Sequence, residues 1–241
     1  MPPPPRWRWA YFLDVDGTLV ELARTPDAVH VASDTLDLVH GVHVITGGAL
    51  ALITGRSIED VDRLFGGAPL PIAGQHGLER RDVGGAWTVD DGGAEGMAIA
   101  RRRLADVADA FDGLLMEDKG RSLALHYRAA PQLEGYVLDT MRSLGNDLGD
   151  EFAIQLGKYV VELRPAGTDK GEAIRAFMSE VPFLGRTPVF IGDDLTDEHG
   201  FAVVNEMDGY SVKVGPGATV AQWRLPDVRA VERWLLSISE D

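Results

Sequence analysis

Cysteine is absent from the 241 residues, which removes disulfides, thiolate catalysis and cysteine-ligated zinc or iron-sulfur centres from consideration. Positive charge is the minority sign: 23 Lys and Arg stand against 38 Asp and Glu, for a formal net charge of -15. Nucleic acid and anionic membrane attract basic surfaces, so neither fits as a partner and a small-molecule substrate is expected. A phosphorylated molecule would be repelled by this background, so its site would need a metal and locally placed Lys or Arg to reverse the potential. Long apolar runs are missing too. The most apolar stretch, residues 42–53, is broken by Thr46, Gly47 and Gly48 and is too short to span a bilayer. Pro2 to Pro5, with Arg6 and Arg8, reads as a short extended tail, and Asp14 interrupts the apolar segment behind it too early for a signal-peptide core. A soluble, cytoplasmic protein is the expectation. No internal repeat is visible, and no low-complexity tract beyond the proline tail.

What is present is a chain that is 45% hydrophobic, enough for a sizeable core in one large domain or a core with an inserted module. Strands at 9–13, 49–53 and 70–73 alternate with helices at 33–41 and 57–65, the pattern of βαβ units. The texture then changes. Gly84-Gly85 and Asp90-Asp91-Gly92-Gly93 bracket a hairpin around Trp87, and a helix follows over 94–111 with Met97, Leu104, Val107 and Phe111 on one side. Over 123–128, Leu123, Leu125 and Tyr127 alternate with Ser122, Ala124, His126 and Arg128, as in a half-buried antiparallel strand. A helix over 132–148 and strands at 152–156 and 159–163 complete a module of helices on one antiparallel sheet. The first texture returns with helices at 170–178 and 228–236 and strands at 189–192 and 211–214. The reading is an α/β protein: a Rossmann-like core of parallel strands from residues 1–81 and 166–241, and an inserted α+β module at 82–165.

Four segments stand at strand ends or helix starts: Asp14 with Asp16, Thr54-Gly55-Arg56, Asp169-Lys170-Gly171, and Gly192-Asp193-Asp194-Leu195-Thr196-Asp197. Open α/β sheets collect ligands outside the carboxyl ends of their strands. By period-two alternation Asp14 and Asp16 point to one side, so a cation or a shared proton must reconcile them; a solvated Asx turn is the plainer reading. Together the segments supply what phosphoryl transfer needs. Asp14 can attack phosphorus, and Asp16 can protonate the leaving oxygen and later deprotonate water. The Thr54 hydroxyl and the Gly55 amide can bond a phosphoryl oxygen, or Thr54 can simply cap the next helix. Asp169 and Glu172 resemble a capping box, placing Lys170 in a first helical turn, where the dipole disfavours a cation unless an anion faces it; an ordinary surface lysine is the alternative. Asp193, Asp194 and Asp197 exceed what one N-cap requires, and hard oxygen donors favour Mg²⁺. The expected ligands are Asp14, Asp193 and the backbone carbonyl of Asp16, with Asp194 or Asp197 acting through water or from behind.

In that order, Asp14-x-Asp16-Gly17-Thr18, Thr54, Lys170 and Gly192-Asp193-Asp194 resemble the four motifs of the haloacid dehalogenase superfamily, and the insertion between Thr54 and Lys170 resembles its second cap position, typical of sugar phosphatases. Further segments are similar to the trehalose-6-phosphate phosphatase family: Gly74-Gln75-His76-Gly77-Leu78-Glu79, Glu117-Asp118-Lys119 with Ser122, His126-Tyr127-Arg128, Glu162-Leu163-Arg164-Pro165, and Asp193-Asp194-Leu195-Thr196-Asp197-Glu198. The resemblance implies a Mg²⁺-dependent phosphatase acting on a sugar phosphate through an aspartyl-phosphate. In it the cap binds sugar through Glu117, Lys119, Ser122, His126, Arg128 and Glu162, Gly55 and Arg56 assist at the core, and a trehalose-6-phosphate synthase is a functional partner. Without the resemblance, the polar residues of the module could be only a solvated sheet face.

Other readings remain at this level. The substrate could be sucrose phosphate, mannosyl-phosphoglycerate or another sugar phosphate, which only the cap distinguishes. A signalling receiver domain also uses Asp, Thr, Lys and Mg²⁺, but it lacks an inserted cap, and Asp16 would hasten loss of its phosphate. An inactive sugar-phosphate sensor would lack the nucleophile or the acid, and both are present.

Overall fold

A computed structural model describes residues 1–23, 29–89 and 93–239. In chain order the elements are β1 (Ala10–Leu13), α1 (Ser33–Ile45), β2 (Leu50–Ile53), α2 (Ile58–Leu64), β3 (Ile72–Gly74), β4 (Glu79–Arg81), β5 (Trp87–Val89), α3 (Ala94–Ala110), β6 (Leu115–Asp118), β7 (Leu123–His126), α4 (Glu134–Leu148), β8 (Phe152–Gly157), β9 (Val160–Pro165), α5 (Lys170–Met178), β10 (Pro188–Gly192), α6 (Glu198–Glu206), β11 (Tyr210–Val214), β12 (Trp223–Leu225) and α7 (Val228–Leu235). The chain divides into two compact units, residues 1–89 with 169–241, and residues 90–168.

The first unit is built on an eight-stranded sheet of order β12-β11-β10-β1-β2-β3-β4-β5, in which the pairings from β12 to β3 are parallel and the last two antiparallel. Every residue of β1, β2 and β10 is buried, which is why they read as continuous apolar runs. Alternation divides their side chains between two faces. Tyr11, Leu13, Leu50 and Leu52 pack with Leu38, Val39 and Val42 of α1 and Val231 and Leu235 of α7. Ala10, Phe12, Ala51 and Ile53 pack with Ile174 and Phe177 of α5 and Phe201 and Val204 of α6. The expected parallel-sheet core is therefore the observed one.

The second unit is a four-stranded antiparallel sheet of order β6-β7-β9-β8. Leu123, Leu125, Val161 and Leu163 on one face pack with Met97, Ala100 and Leu104 of α3 and Val137, Met141 and Leu144 of α4. The register sets Glu117, Ala124, Glu162 and Gln155 in one row across the sheet, on the face opposite those apolar side chains.

Three expectations shift. The hairpin around Trp87 extends the core sheet through Arg80 opposite Thr88, so the units divide at 89/90 and 168/169 instead of at 82 and 165. Part of its bracket, Asp90, Asp91 and Gly92, lies outside the described residues. The proline segment is not a free tail: Pro2 and Pro5 are buried, the Trp234 indole donates to the Pro3 carbonyl at 2.9 Å, and Trp7 N–H reaches Ser239 O at 3.3 Å. Four elements, β4, β6, β12 and α6, add to those read from the sequence.

Candidate active site

In the first unit the candidate residues gather at the carboxyl ends of β1, β2 and β10 and the first turn of α5. Asp14 follows β1, is 4% exposed, and donates its N–H to Ile191 O at 3.0 Å. The Asp169 side chain caps α5 by accepting the Glu172 N–H at 2.9 Å, which sets Lys170 in the first turn. Lys170 is buried, and its ammonium donates to Asp14 Oδ1 at 2.7 Å and Asp197 Oδ1 at 2.6 Å. The cation that opposes the helix dipole thus has its anions.

Carboxylate oxygens of Asp14, Asp193 and Asp197 lie within 4.8 Å of one another. The turn after Asp16 allows this approach: Gly17 has φ +79°, and a Cβ there would stand 2.1 Å from Asp193 Oδ2. Burial raises the Asp14 pKa well above the carboxylate range, Lys170 opposes this, and Asp197 and Asp193 add to it. Burial, then Asp197 and Asp194, push Asp193 up to about 7 against the pull of Lys170 and Lys213. Burial by itself would lower the Lys170 pKa, but Asp14 and Asp197 outweigh it and hold it above the ordinary lysine value. Three converging acids of hard oxygen character, two of them strained toward protonation, fit a divalent cation such as Mg²⁺.

Asp194 stands apart. It is exposed and opens the Leu195–Asp197 turn, where its N–H donates to Asp197 Oδ2 at 2.9 Å. The fully buried member of the cluster is Asp197, which the sequence reading left as one of two outer choices.

Asp16 also departs from expectation. β1 ends at Leu13, Asp16 bridges to Val20, and the strict alternation that would place it with Asp14 no longer applies. Its carboxylate accepts from Arg56 Nε at 2.6 Å and Nη2 at 2.7 Å. The two like charges are therefore met by different cations, Lys170 and Arg56, and Arg56 grips an aspartate in this structure. Thr54, at the end of β2, is buried, and its Oγ1 accepts the Arg56 N–H at 3.2 Å, while Gly55 forms the turn between them.

Among residues that sequence reasoning passed over, Lys213 is the most telling: it is buried in β11 and its ammonium donates to the backbone carbonyl of Asp193. A lysine inside the otherwise apolar run Val212 to Val214 is the signal that could have found it. Glu79 accepts the Ile58 N–H at 2.9 Å and the Gln75 side-chain amide at 2.6 Å.

In the second unit the polar sheet face is organised in pairs. Lys119 Nζ donates to Glu162 Oε2 at 2.9 Å, and Glu162 is only 6% exposed. His126 Nε2 lies 2.8 Å from Glu117 Oε2, and this hydrogen bond lowers the Glu117 pKa against the effect of burial. Ser122 is fully buried, whereas Arg128 is exposed with its guanidinium 5.4 Å from the centre of the Tyr159 ring. Gln155 shares the row of Glu117 and Glu162 and was not anticipated.

The trehalose-phosphatase family model matches residues 12–228, nearly the whole of both units. The chain belongs to the trehalose-phosphatase family. It is 46% identical over 235 residues to the trehalose-6-phosphate phosphatase of Escherichia coli (strain K12), covering 96% of this chain and 87% of that protein. It is 34% identical over 231 residues to a bifunctional trehalose-6-phosphate synthase/phosphatase of Thermoproteus tenax, covering 92% of this chain and 31% of the larger protein. A crystal structure of a trehalose-6-phosphate phosphatase related protein superposes with a TM-score of 0.79 at 26% identity, covering 94% of this chain and 95% of the other. The fold is that of haloacid dehalogenase superfamily phosphatases. Among the described residues no helix is long and apolar enough to cross a membrane.

Proposed function

We propose that this phosphatase hydrolyses trehalose 6-phosphate to trehalose and inorganic phosphate, with Asp14 as the nucleophile. The observation that carries this reading is the buried Lys170 bridge between Asp14 and Asp197, beside Asp193, in a chain of this family. Asp14 attacks phosphorus, the bond from phosphorus to the sugar oxygen breaks, and Asp16 delivers a proton to that oxygen. Water then attacks the phosphorus of the aspartyl-phosphate, Asp16 takes its proton, and the Asp14 carboxylate is released with phosphate. Lys170 holds Asp14 in line, and Thr54 with the Gly55 amide bonds the phosphoryl oxygens. Asp14, Asp193 and the Asp16 carbonyl would hold Mg²⁺, with Asp197 behind them, and the ion would supply charge neutralisation for the phosphoryl oxygens.

Sugar selection falls to the second unit as a cap. Its paired Lys119 and Glu162, with Glu117 and His126, offer hydroxyl partners of both donor and acceptor kind, and Ser122 and Arg128 complete the proposed set. The substrate would come from a trehalose-6-phosphate synthase, an activity joined to the phosphatase in the name of the Thermoproteus tenax relative, and the soluble substrate suits a cytoplasmic location. Phosphate release from a panel of sugar phosphates in Mg²⁺ tests the reading. Trehalose 6-phosphate is expected to lead the panel, and Asp14→Asn is expected to lose at least about 10³-fold in kcat while remaining folded. Comparable turnover of other sugar phosphates would remove the substrate, and an active Asp14→Asn protein would remove the mechanism.

A further inference from the structure

The segment Gly74 to Glu79 has no part in the chemistry above, yet its backbone is tightly tied beside it. Gln75 and His76 both have positive φ, 46° and 59°, a conformation that side-chain-bearing residues adopt at a cost and keep only where surroundings enforce it. Their N–H groups show what enforces it: Gln75 N–H donates to Arg56 O at 2.8 Å, and His76 N–H to Thr54 O at 2.9 Å. The His76 ring lies so close over Gly55 that a Cβ there would stand 2.8 Å from its Nε2. Glu79 closes the arrangement from below. One of its oxygens takes the first N–H of α2, at Ile58, and the other takes the buried Gln75 amide.

We propose that Glu79 is a positioning residue for phosphoryl transfer, acting through Gln75 and His76 to fix the backbone of Thr54, Gly55 and Arg56. The three residues it governs are those that present the Thr54 hydroxyl and aim the Arg56 guanidinium at Asp16. Without its two bonds the paired positive-φ residues lose the acceptor that locks Gln75, and the turn is free to relax by the fraction of an ångström that misaligns reacting groups. The inference rests on the proposed phosphatase chemistry of this site.

Its test compares Glu79→Ala and the isosteric Glu79→Gln with Asp62→Asn, which breaks the other tie between β4 and α2, where Arg81 pairs with Asp62 at 2.8 and 2.7 Å. Rates are measured well below each melting temperature, on trehalose 6-phosphate and on p-nitrophenyl phosphate. Both Glu79 variants are expected to lose roughly ten- to hundredfold in kcat on both esters, while Asp62→Asn keeps kcat despite a lowered melting temperature. Full kcat in a folded Glu79→Gln protein, an equal loss in Asp62→Asn, or a loss confined to the sugar ester would each overturn the proposal. A wild-type protein that cleaves p-nitrophenyl phosphate but not trehalose 6-phosphate would instead overturn the substrate alone and leave this comparison valid.

Discussion

Arg56 holds Asp16 through two parallel hydrogen bonds of 2.6 and 2.7 Å, separating the second aspartate of the first motif from the Lys170 that serves the first. The two carboxylates therefore stand in different surroundings.

Asp16→Asn is expected to lose about 10²- to 10⁴-fold in kcat on the sugar phosphate, the worth of a positioned proton donor. A substrate whose leaving group needs no proton, such as a dinitrophenyl phosphate, should regain the first step, seen as a burst of phenolate in rapid mixing. An equal deficit in the rate of that first step on both substrates would show that Asp16 is not the leaving-group acid.

Metal removal should stop the reaction. Asp14, Asp193 and Asp197 already crowd one another, and a phosphate dianion cannot join them without a compensating cation. Chelation is expected to abolish turnover and Mg²⁺ to restore it. Saturating Mg²⁺ should also raise the melting temperature, with a stabilisation of about 2.7 kcal/mol at a hundredfold excess over Kd. That shift should vanish in Asp193→Asn; an unchanged shift would place the ion elsewhere.

Glu162→Ala separates recognition from chemistry. A lost hydrogen bond to a sugar hydroxyl costs about 1 to 3 kcal/mol, so kcat/KM for trehalose 6-phosphate should fall roughly ten- to hundredfold. p-Nitrophenyl phosphate has no sugar to lose. If it suffers equally, Glu162 supports the fold and the division of labour fails.

The Glu117 to His126 hydrogen bond makes stability depend on pH. It holds the Glu117 carboxyl below its usual range, so its stabilisation is present above the unfolded carboxylate pKa and is lost as pH falls through the lower folded value. The melting temperature of wild type should exceed that of Glu117→Gln near neutrality, and the gap should close below about pH 4. A gap that persists in acid would contradict this origin.

Much of this was legible in the chain because parallel strands buried on both faces, such as Tyr11 to Leu13 and Val189 to Ile191, cannot be mistaken for half-solvated ones. The aspartates and Lys170 were legible because an uncompensated charge at a strand end or helix start demands a partner. What escaped depended on pairing at a distance. Nothing local distinguishes Asp197 from Asp194; their separate fates follow from a turn that buries one and exposes the other. Arg56 looked like a ligand for substrate because its partner, Asp16, is forty positions away. Glu79 stands in the sequence only as the end of the segment Gly74 to Glu79, and only the meeting of β4 with α2 shows what its carboxylate holds.

The sheet order also dictates when the parts of the protein can form. β1 is flanked by β2, which follows it closely, and by β10, which the ribosome supplies only after residues 90–168 have been made. The inserted unit is contiguous, antiparallel and rich in near neighbours, the kind of topology that closes quickly, whereas the β1 to β10 pairing must bridge most of the chain. Pulse-labelled hydrogen exchange should therefore protect the amides of β7 and β9 before those of β1 and β10. On that order the strand that carries Asp14 would keep one bare edge through synthesis, and the carboxylates of Asp14, Asp193 and Asp197 would come together last, after the unit proposed to choose the substrate.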